Sequence, residues 1–197
     1  MNLKELFGLE ALVVGIKLEL LNESEFGIIV NWINNYDEDF LVQWSGLTYK
    51  FPLSTEQMLT HYLRGINSQE SDVYIYKIID QQTNEMIGSL QICRFDASNN
   101  EAVVGRFIIG EERYRASGIG TSALKALLKI GFTQFNLNRI KLNVYDTNQP
   151  AIRCYERLGF KKGRLTENVY TSSHGHQWSN WEMYLDKDIW ESEENVV

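Results

Sequence analysis

Proline is nearly missing from this chain: Pro52 and Pro150 are the only two in 197 residues. No Pro/Ser-rich linker, internal repeat or low-complexity run divides it, so the length fits one domain with a core of ordinary size. Cysteine is equally scarce. Cys93 and Cys154 are too few for a disulfide framework and fit a reducing compartment, so a cytoplasmic location is expected. Long apolar runs are lacking as well: residues 11–16 form a six-residue run preceded by Glu5 and Glu10. That excludes a signal peptide or membrane span at this place, and no membrane partner is expected. Positive charge is short, with 19 Lys and Arg against 26 Asp and Glu and a formal charge of -7. No basic stripe is available to displace counterions, which argues against a nucleic-acid partner. The same excess of acid suits a cationic partner, or simply solubility. Of the three histidines, His174 and His176 fall in a turn with no third ligand at a defined spacing, so no metal is expected; His61 falls in a helix and suggests no role.

What the chain has is a globular composition, 44% hydrophobic, arranged as alternating strand and helix patterns. Residues 1–16 fit no pattern beyond a short helix and are assigned as an N-terminal extension of unknown role. A single domain is expected over 17–190, followed by an acidic tail at 191–197. Residues 17–21 alternate weakly as a first strand. Asn22 and Ser24 are cap residues before Phe26, Ile28, Ile29, Trp32 and Ile33, whose spacing is helical. From 34 to 53 the periodicity disappears, and Tyr36, Phe40, Trp44, Tyr49 and Phe51 mix with Asp37, Glu38 and Asp39. A long irregular connection with five aromatics is a functional or core-packing loop rather than a disordered one. Ser54 and Gln57 make a capping box for a helix running to about residue 64. Strands follow over 73–79 and 86–95, and a last hairpin over 164–171 and 177–185.

The most informative stretch is 103–126, VVGRFIIGEERYRASGIGTSALKA. An apolar strand over 103–109 leads through a charged turn into the loop Arg115-Ala116-Ser117-Gly118-Ile119-Gly120, which opens directly into a helix. A helix starting there aims unpaired N–H groups and the positive end of its dipole at one spot, which suits an anion. Gly118 and Gly120 let a phosphate approach the backbone, and Arg115 can add a charge-assisted contact. No Lys follows either glycine, which excludes a Walker-type P-loop. Ala123 is tolerated at the last position of a dinucleotide fingerprint, but no acid stands about 20 residues on, so that match is poor.

Residues 139–160, RIKLNVYDTNQPAIRCYERLGF, read as a strand, a turn and a helix ending at Gly159. Together the two segments resemble the GNAT superfamily of acetyl-CoA-dependent N-acetyltransferases. Its first signature, Arg/Gln-x-x-Gly-x-Gly/Ala, is matched by Arg115, Gly118 and Gly120. Its second, Asn-x-x-Ala-x-x-x-Tyr-x-x-x-Gly-Phe, is matched by Asn148, Ala151, Tyr155, Gly159 and Phe160. The similarity covers roughly 85–186 and, within the superfamily, is greatest to the branch of ribosomal-protein N-terminal, spermidine and small-molecule acetyltransferases. One departure is Ala116-Ser117, where members often carry Gly-Lys; losing that lysine removes a phosphate contact and leaves the backbone cradle.

The resemblance implies an α/β (α+β) fold: a mixed, mostly antiparallel sheet of about seven strands with helices on both faces. It implies that the strands at 102–109 and 139–145 splay apart to admit the pantetheine arm of acetyl-CoA. Phe107, Ile108 and Ile109 would bond that arm through their main chain, and the amides of Ala116, Ser117, Gly118, Ile119, Gly120 and Thr121 would hold the pyrophosphate. Asn148 and Ala151 would line the arm or cap the helix. Tyr155 is the candidate general acid for the CoA sulfur, since a phenol with a pKa of about 10 can protonate a thiolate of about 8.5. A packing role is the competing reading for Tyr155. Glu101, preceding the central strand, is the candidate base, with no motif to fix its register. Cys154 lies about 100° around the helix from Tyr155 and reads as a packing thiol. The acceptor would be a primary amine, cationic by the charge argument and by the acids at 37–39. The aromatics Tyr170, Trp178 and Trp181 would either form a homodimer contact or wall the acceptor site. A CoA-binding module without turnover, or a nucleotide-binding protein using the Gly118 loop, are the readings from other classes.

Overall fold

A computed structural model describes residues 11–13, 15–68 and 71–194. Among the described residues, eight strands form one sheet: β1 Ala11–Val13, β2 Ile16–Leu20, β3 Val73–Asp80, β4 Met86–Asp96, β5 Glu101–Ile109, β6 Arg139–Tyr145, β7 Lys161–Thr171 and β8 Gln177–Asp186, with the buried residues of β6 alternating with period two. Their spatial order is β1-β2-β3-β4-β5-β6-β8-β7, and every neighbouring pair is antiparallel except β5 with β6. Seven strands have five residues or more; the eighth is the three-residue β1. That strand pairs Val13 with Ile16, so the extension assigned to 1–16 contributes to the sheet.

Among the described residues, six α-helices cover the sheet: α1 Phe26–Asn34, α2 Glu38–Ser45, α3 Thr55–Tyr62, α4 Ile119–Lys129, α5 Gln149–Arg157 and α6 Lys187–Glu194. None of the described helices is long and apolar enough to cross a membrane. Phe26, Ile29, Trp32 and Ile33 of α1 gather with Leu41, Met58, Ile75 and Ile108 into a core on one face. Ala123, Leu124 and Leu127 of α4 lie with Ile152, Leu90, Ile92 and Leu142 in the larger core on the other. Both faces are thus covered, and β3, β4 and β5 are buried in the middle.

The irregular connection expected at 34–53 contains α2. Asp37 accepts from the Phe40 amide at 2.9 Å as its N-cap, and Gly46, at φ 60°, ends it. Ser54 does cap α3, accepting from Gln57 N, but the Gln57 side chain does not close a box. It bonds the Lys50 amide and the Lys50 and Pro52 carbonyls instead, clamping the loop before the helix.

β5 carries the irregularity that matters most. Ser89 faces Ile108 and Gln91 faces Gly105, so two residues of β5, Arg106 and Phe107, stand opposite Leu90 alone. Arg106 takes φ 43°, a left-handed conformation that costs a non-glycine residue about 1–2 kcal/mol. The extra residue reverses the phase of the strand. Ala102 and Val104 face the α4 core, whereas Ile108 faces the α1 core, and Phe107 and Ile109 turn towards α4.

Candidate active site

β5 and β6 pair over only four residues, from Glu101 with Arg139 to Val104 with Leu142. Beyond that point β5 keeps to β4 while β6 follows β8 as far as Tyr145 with Asn180, and the two strands part. Three adjoining cavities fill the opening. One of about 430 Å³ lies between the second half of β5, the 115–120 loop and α5. One of about 440 Å³ lies between the first half of β5, the α2 end, β6 and the β7–β8 hairpin. A throat of about 60 Å³ joins their walls, lined by residues of both, including Phe107, Asn143, Asn148 and Tyr155.

The first cavity collects most of the residues expected from the sequence. Phe107, Ile108, Ile109, Arg115, Ala116, Gly120, Asn148, Ala151 and Tyr155 all line it. Ser117, Gly118, Ile119 and Thr121 belong to the same loop and first helical turn without forming its wall. Gly118, at φ 89°, is the N-cap of α4, and no described residue accepts from the amides of Gly118, Gly120 or Thr121. Those donors and the helix dipole form a cradle for an anion. Gly120 lies beside β5, where a Cβ would sit in ordinary contact with the Phe107 ring at 3.5 Å. Ala116 takes φ 57° at the position where the resemblance expects glycine.

Arg115 does not hold its guanidinium out over this cradle. Its Nε donates to Ile109 O at 2.9 Å and its Nη2 to Gly110 O at 3.1 Å, while Nη1 donates to Tyr36 Oη at 2.5 Å. It braces the loop against the end of β5. Asn148 caps α5 through Oδ1, which accepts from Ala151 N at 3.3 Å, and its amide nitrogen bonds no described residue. Tyr155 stands half-buried where the cavity meets the throat, and its hydroxyl bonds no described residue. Burial, with a smaller repulsion from Cys154, pushes its phenol well above the ordinary value. It therefore keeps its proton at neutral pH. Cys154 also lines the cavity and touches Thr121 Oγ1 at 3.5 Å.

Residues 17–161 match the family described as Acetyltransferase (GNAT) domain. The chain belongs to the GNAT family. It is 33% identical over 98 residues to the uncharacterized N-acetyltransferase p20 of Bacillus licheniformis, covering 50% of this chain and 54% of that protein. It is 38% identical over 74 residues to the spermine/spermidine N(1)-acetyltransferase of Bacillus subtilis strain 168, covering 37% and 48%. The matches thus span about half the length of these curated relatives. A crystal structure of spermidine N-acetyltransferase from Vibrio cholerae in complex with CoA and spermine superposes with a TM-score of 0.76. That likeness covers 91% of this chain and 99% of the other at 18% identity, and it establishes the fold.

Other expected residues of this GNAT domain lie elsewhere. Glu101 begins β5, six residues and roughly 20 Å before Phe107 along the strand. It pairs with Lys141 and, at 3.7 Å, with Arg139, and it lines none of the three cavities. A carboxylate held there by two cations is not placed to take a proton from a group in the opening. The acids at 37–39 are also occupied or turned away. Asp37 caps α2, Glu38 is exposed, and Asp39 is buried, accepting from Tyr170 Oη at 2.8 Å and from Ser173 N and Oγ. These bonds tie α2 to the β7–β8 hairpin and hold Asp39 below the usual carboxylate range despite its desolvation. The hairpin aromatics Tyr170 and Trp178 pack on Tyr145, a wall of the second cavity.

Two wall residues, Gln43 and Arg106, have no counterpart among those expected, and a third, Trp44, is expected only as one of the aromatics of the 34–53 connection. Gln43 and Trp44 of α2 line all three cavities, and the Trp44 indole N–H is buried without a hydrogen-bond partner. Arg106 lines the second cavity and the throat. Its Nη1 reaches His61 Nε2 at 3.1 Å, Gln91 Oε1 at 3.2 Å and Tyr49 Oη at 3.5 Å, and its guanidinium lies over the Tyr49 ring at 4.9 Å. Burial, then the charges of Arg106 and Arg64, pushes the His61 imidazole down to about 4, so it stays neutral and can accept from Arg106.

Proposed function

We propose that this chain is an N-acetyltransferase carrying the acetyl group of acetyl-CoA to a primary amine of a small molecule or a protein N-terminus. The observation that carries this reading is the opening between β5 and β6, which has an anion cradle on one side and a separate chamber on the other. When bound, acetyl-CoA supplies an activated thioester. The amides of 116–121 suit its pyrophosphate, and the edge of β5 over Phe107, Ile108 and Ile109, unpaired on the β6 side, suits the pantetheine arm and the thioester carbonyl.

Tyr155 holds the proton that the sulfur needs as it leaves; burial keeps the phenol protonated but also makes it a weaker acid than a free tyrosine, so the transfer relies on the developing thiolate charge beside it. No Asp or Glu lines any of the three cavities, so the amine surrenders its proton without a neighbouring carboxylate. At pH 7 this costs about 1.4 kcal/mol for an α-amine of pKa about 8 and about 4.6 kcal/mol for an alkylamine near 10.4. The chamber therefore favours an amine of low pKa. A cationic polyamine is the second reading, supported by the charge of -7 and by the ligand of the Vibrio cholerae structure, though not by the acids at 37–39.

The test is thiol release from acetyl-CoA with free-N-terminal peptides, amino acids, amino sugars and polyamines as acceptors. Release that depends on the amine is expected. Binding of acetyl-CoA with no amine-dependent release would favour a sensor or assembly module instead.

A further inference from the structure

The second cavity is lined by two arginines whose charge no described carboxylate offsets. In a chain of formal charge -7, Arg94 and Arg106 line it and no Asp or Glu does; the other polar walls include Gln91, Asn143, Thr166 and Asn180. Neither arginine has a described carboxylate within 4.0 Å, whereas Arg113 and Arg115 each have one and Arg139 has two. Arg94 is at the exposed rim and Arg106 is inside.

The neighbours of Arg106 hold it without neutralising it. Every hydrogen bond of its guanidinium to a described residue is donated by one nitrogen, Nη1, to neutral acceptors on β4, α3 and the preceding loop. Gln91 is itself fixed, since its Nε2 donates to Cys93 Sγ at 3.4 Å. Nε and Nη2, the edge that grips a carboxylate through two parallel bonds, have no acceptor among the described residues. Burial pulls against the charge of Arg106, and the His61 beside it stays uncharged. A positive φ at Arg106 adds backbone strain at the same place. A half-buried cation with a locked orientation and an open fork is an incomplete ion pair, which a ligand can complete.

We infer that the acceptor is a primary amine that also carries an anionic group, seated on Nε and Nη2 of Arg106 while the amine enters the throat. This rests on the acetyltransferase reading above. The throat, about 60 Å³, has room for roughly two water molecules' share of liquid volume, so it passes an amine on a slim stem and leaves the body of the acceptor in the larger cavity. Arg106 and Arg94 also oppose the ammonium form of an incoming amine by like-charge repulsion, which supplies part of the deprotonation that no carboxylate is present to drive. A polycation such as spermidine meets the same repulsion with no anion to offset it.

The test compares acceptors in pairs: α-amino acids and dipeptides against their C-terminal amides, phosphoethanolamine against ethanolamine, and spermidine alone. For a carboxylate-seating site, kcat/KM falls about 10- to 100-fold from acid to amide, the span of a charge-assisted bond pair. Phosphoethanolamine as the preferred acceptor would assign the same fork to a phosphate. Arg106→Gln should abolish the discrimination, and Arg106→Lys should restore part of it. Independently of turnover, the N-acetylated amino acid product should raise the Tm of the wild type while its amide does not. Equal kcat/KM within each pair, or spermidine as the best acceptor, would overturn this inference and leave the acetyltransferase standing. Failure of acetyl-CoA to bind, or silence with every amine, would overturn the underlying reading and this one with it.

Discussion

The environment of His61 sets a test in acid. Replacing it with Gln keeps a group that can accept from Arg106 Nη1 but removes the titration. In the wild type the imidazole falls from 6.5 to about 4 because it is desolvated and faces Arg106 and Arg64. Between those pH values the unfolded chain binds a proton that the folded chain does not. Stability is therefore flat above about pH 6.5 and is lost as pH falls towards 4. A gap of about 2.5 units corresponds to about 3.4 kcal/mol at about 1.4 kcal/mol per unit, and solvent screening at a partly exposed ring reduces that to about 2 kcal/mol. The lowered carboxylates do not confuse the window: Asp96, held at about 2 by Ser98 and Asn99, gives up its contribution only below its unfolded value near 3.8. Urea unfolding of wild type and His61→Gln at pH 7 and pH 4.5 measures the difference. The wild type should lose about 1.4 kcal/mol more than the variant over that interval, since pH 4.5 lies above the folded value and the full effect is reached only below about pH 4. The same loss in both proteins would refute the account of a neutral histidine pressed against an unpaired arginine.

Tyr155→Phe should lower kcat about 100-fold while the affinity for acetyl-CoA, read by calorimetry, barely changes; a large loss of affinity would make the residue a packing element. Gly110→Ala places a Cβ 1.9 Å from the ring of Trp32, which is 5% exposed and donates to Glu111 at 3.2 Å. Displacing that ring should cost about 2–3 kcal/mol, and an unchanged thermal midpoint would contradict the packing. Ala116→Gly should stabilise the fold by up to about 1 kcal/mol in urea unfolding, because φ 57° there favours glycine; destabilisation would show that the Ala116 methyl contributes contacts worth more than the strain.

The strand, loop and helix of 101–129 were legible because hydrophobic spacing changes from two to 3.6 across a loop with two glycines. The acid at Glu101 was not, since a strand's register decides which group meets the reacting centre, and the bulge at Arg106 reverses that register within the strand. α2 escaped because its buried positions, Asp39, Leu41, Val42 and Ser45, mix polar with apolar residues, which blurs the apolar period. Its boundaries were nonetheless in the sequence, as Asp37 three residues before Phe40 and Gly46 at the end. Arg106 also left a signal: an arginine after Val103-Val104-Gly105 and before Phe107-Ile108-Ile109 is a charge in the middle of an otherwise apolar strand. Such a residue needs a partner, and its neutral partners, Tyr49, His61 and Gln91, come from 15 to 57 positions away. No local pattern could assemble them.

The central claim is that the opening between β5 and β6 performs acetyl transfer to nitrogen. Mass analysis of an α-amino acid or dipeptide acceptor, run alongside thiol release from acetyl-CoA, tests it most directly. The account predicts one acetyl group gained on the amine for each thiol released, with the yield dependent on Tyr155. Thiol release without an acetylated amine, or no release from bound acetyl-CoA with any amine, would contradict it.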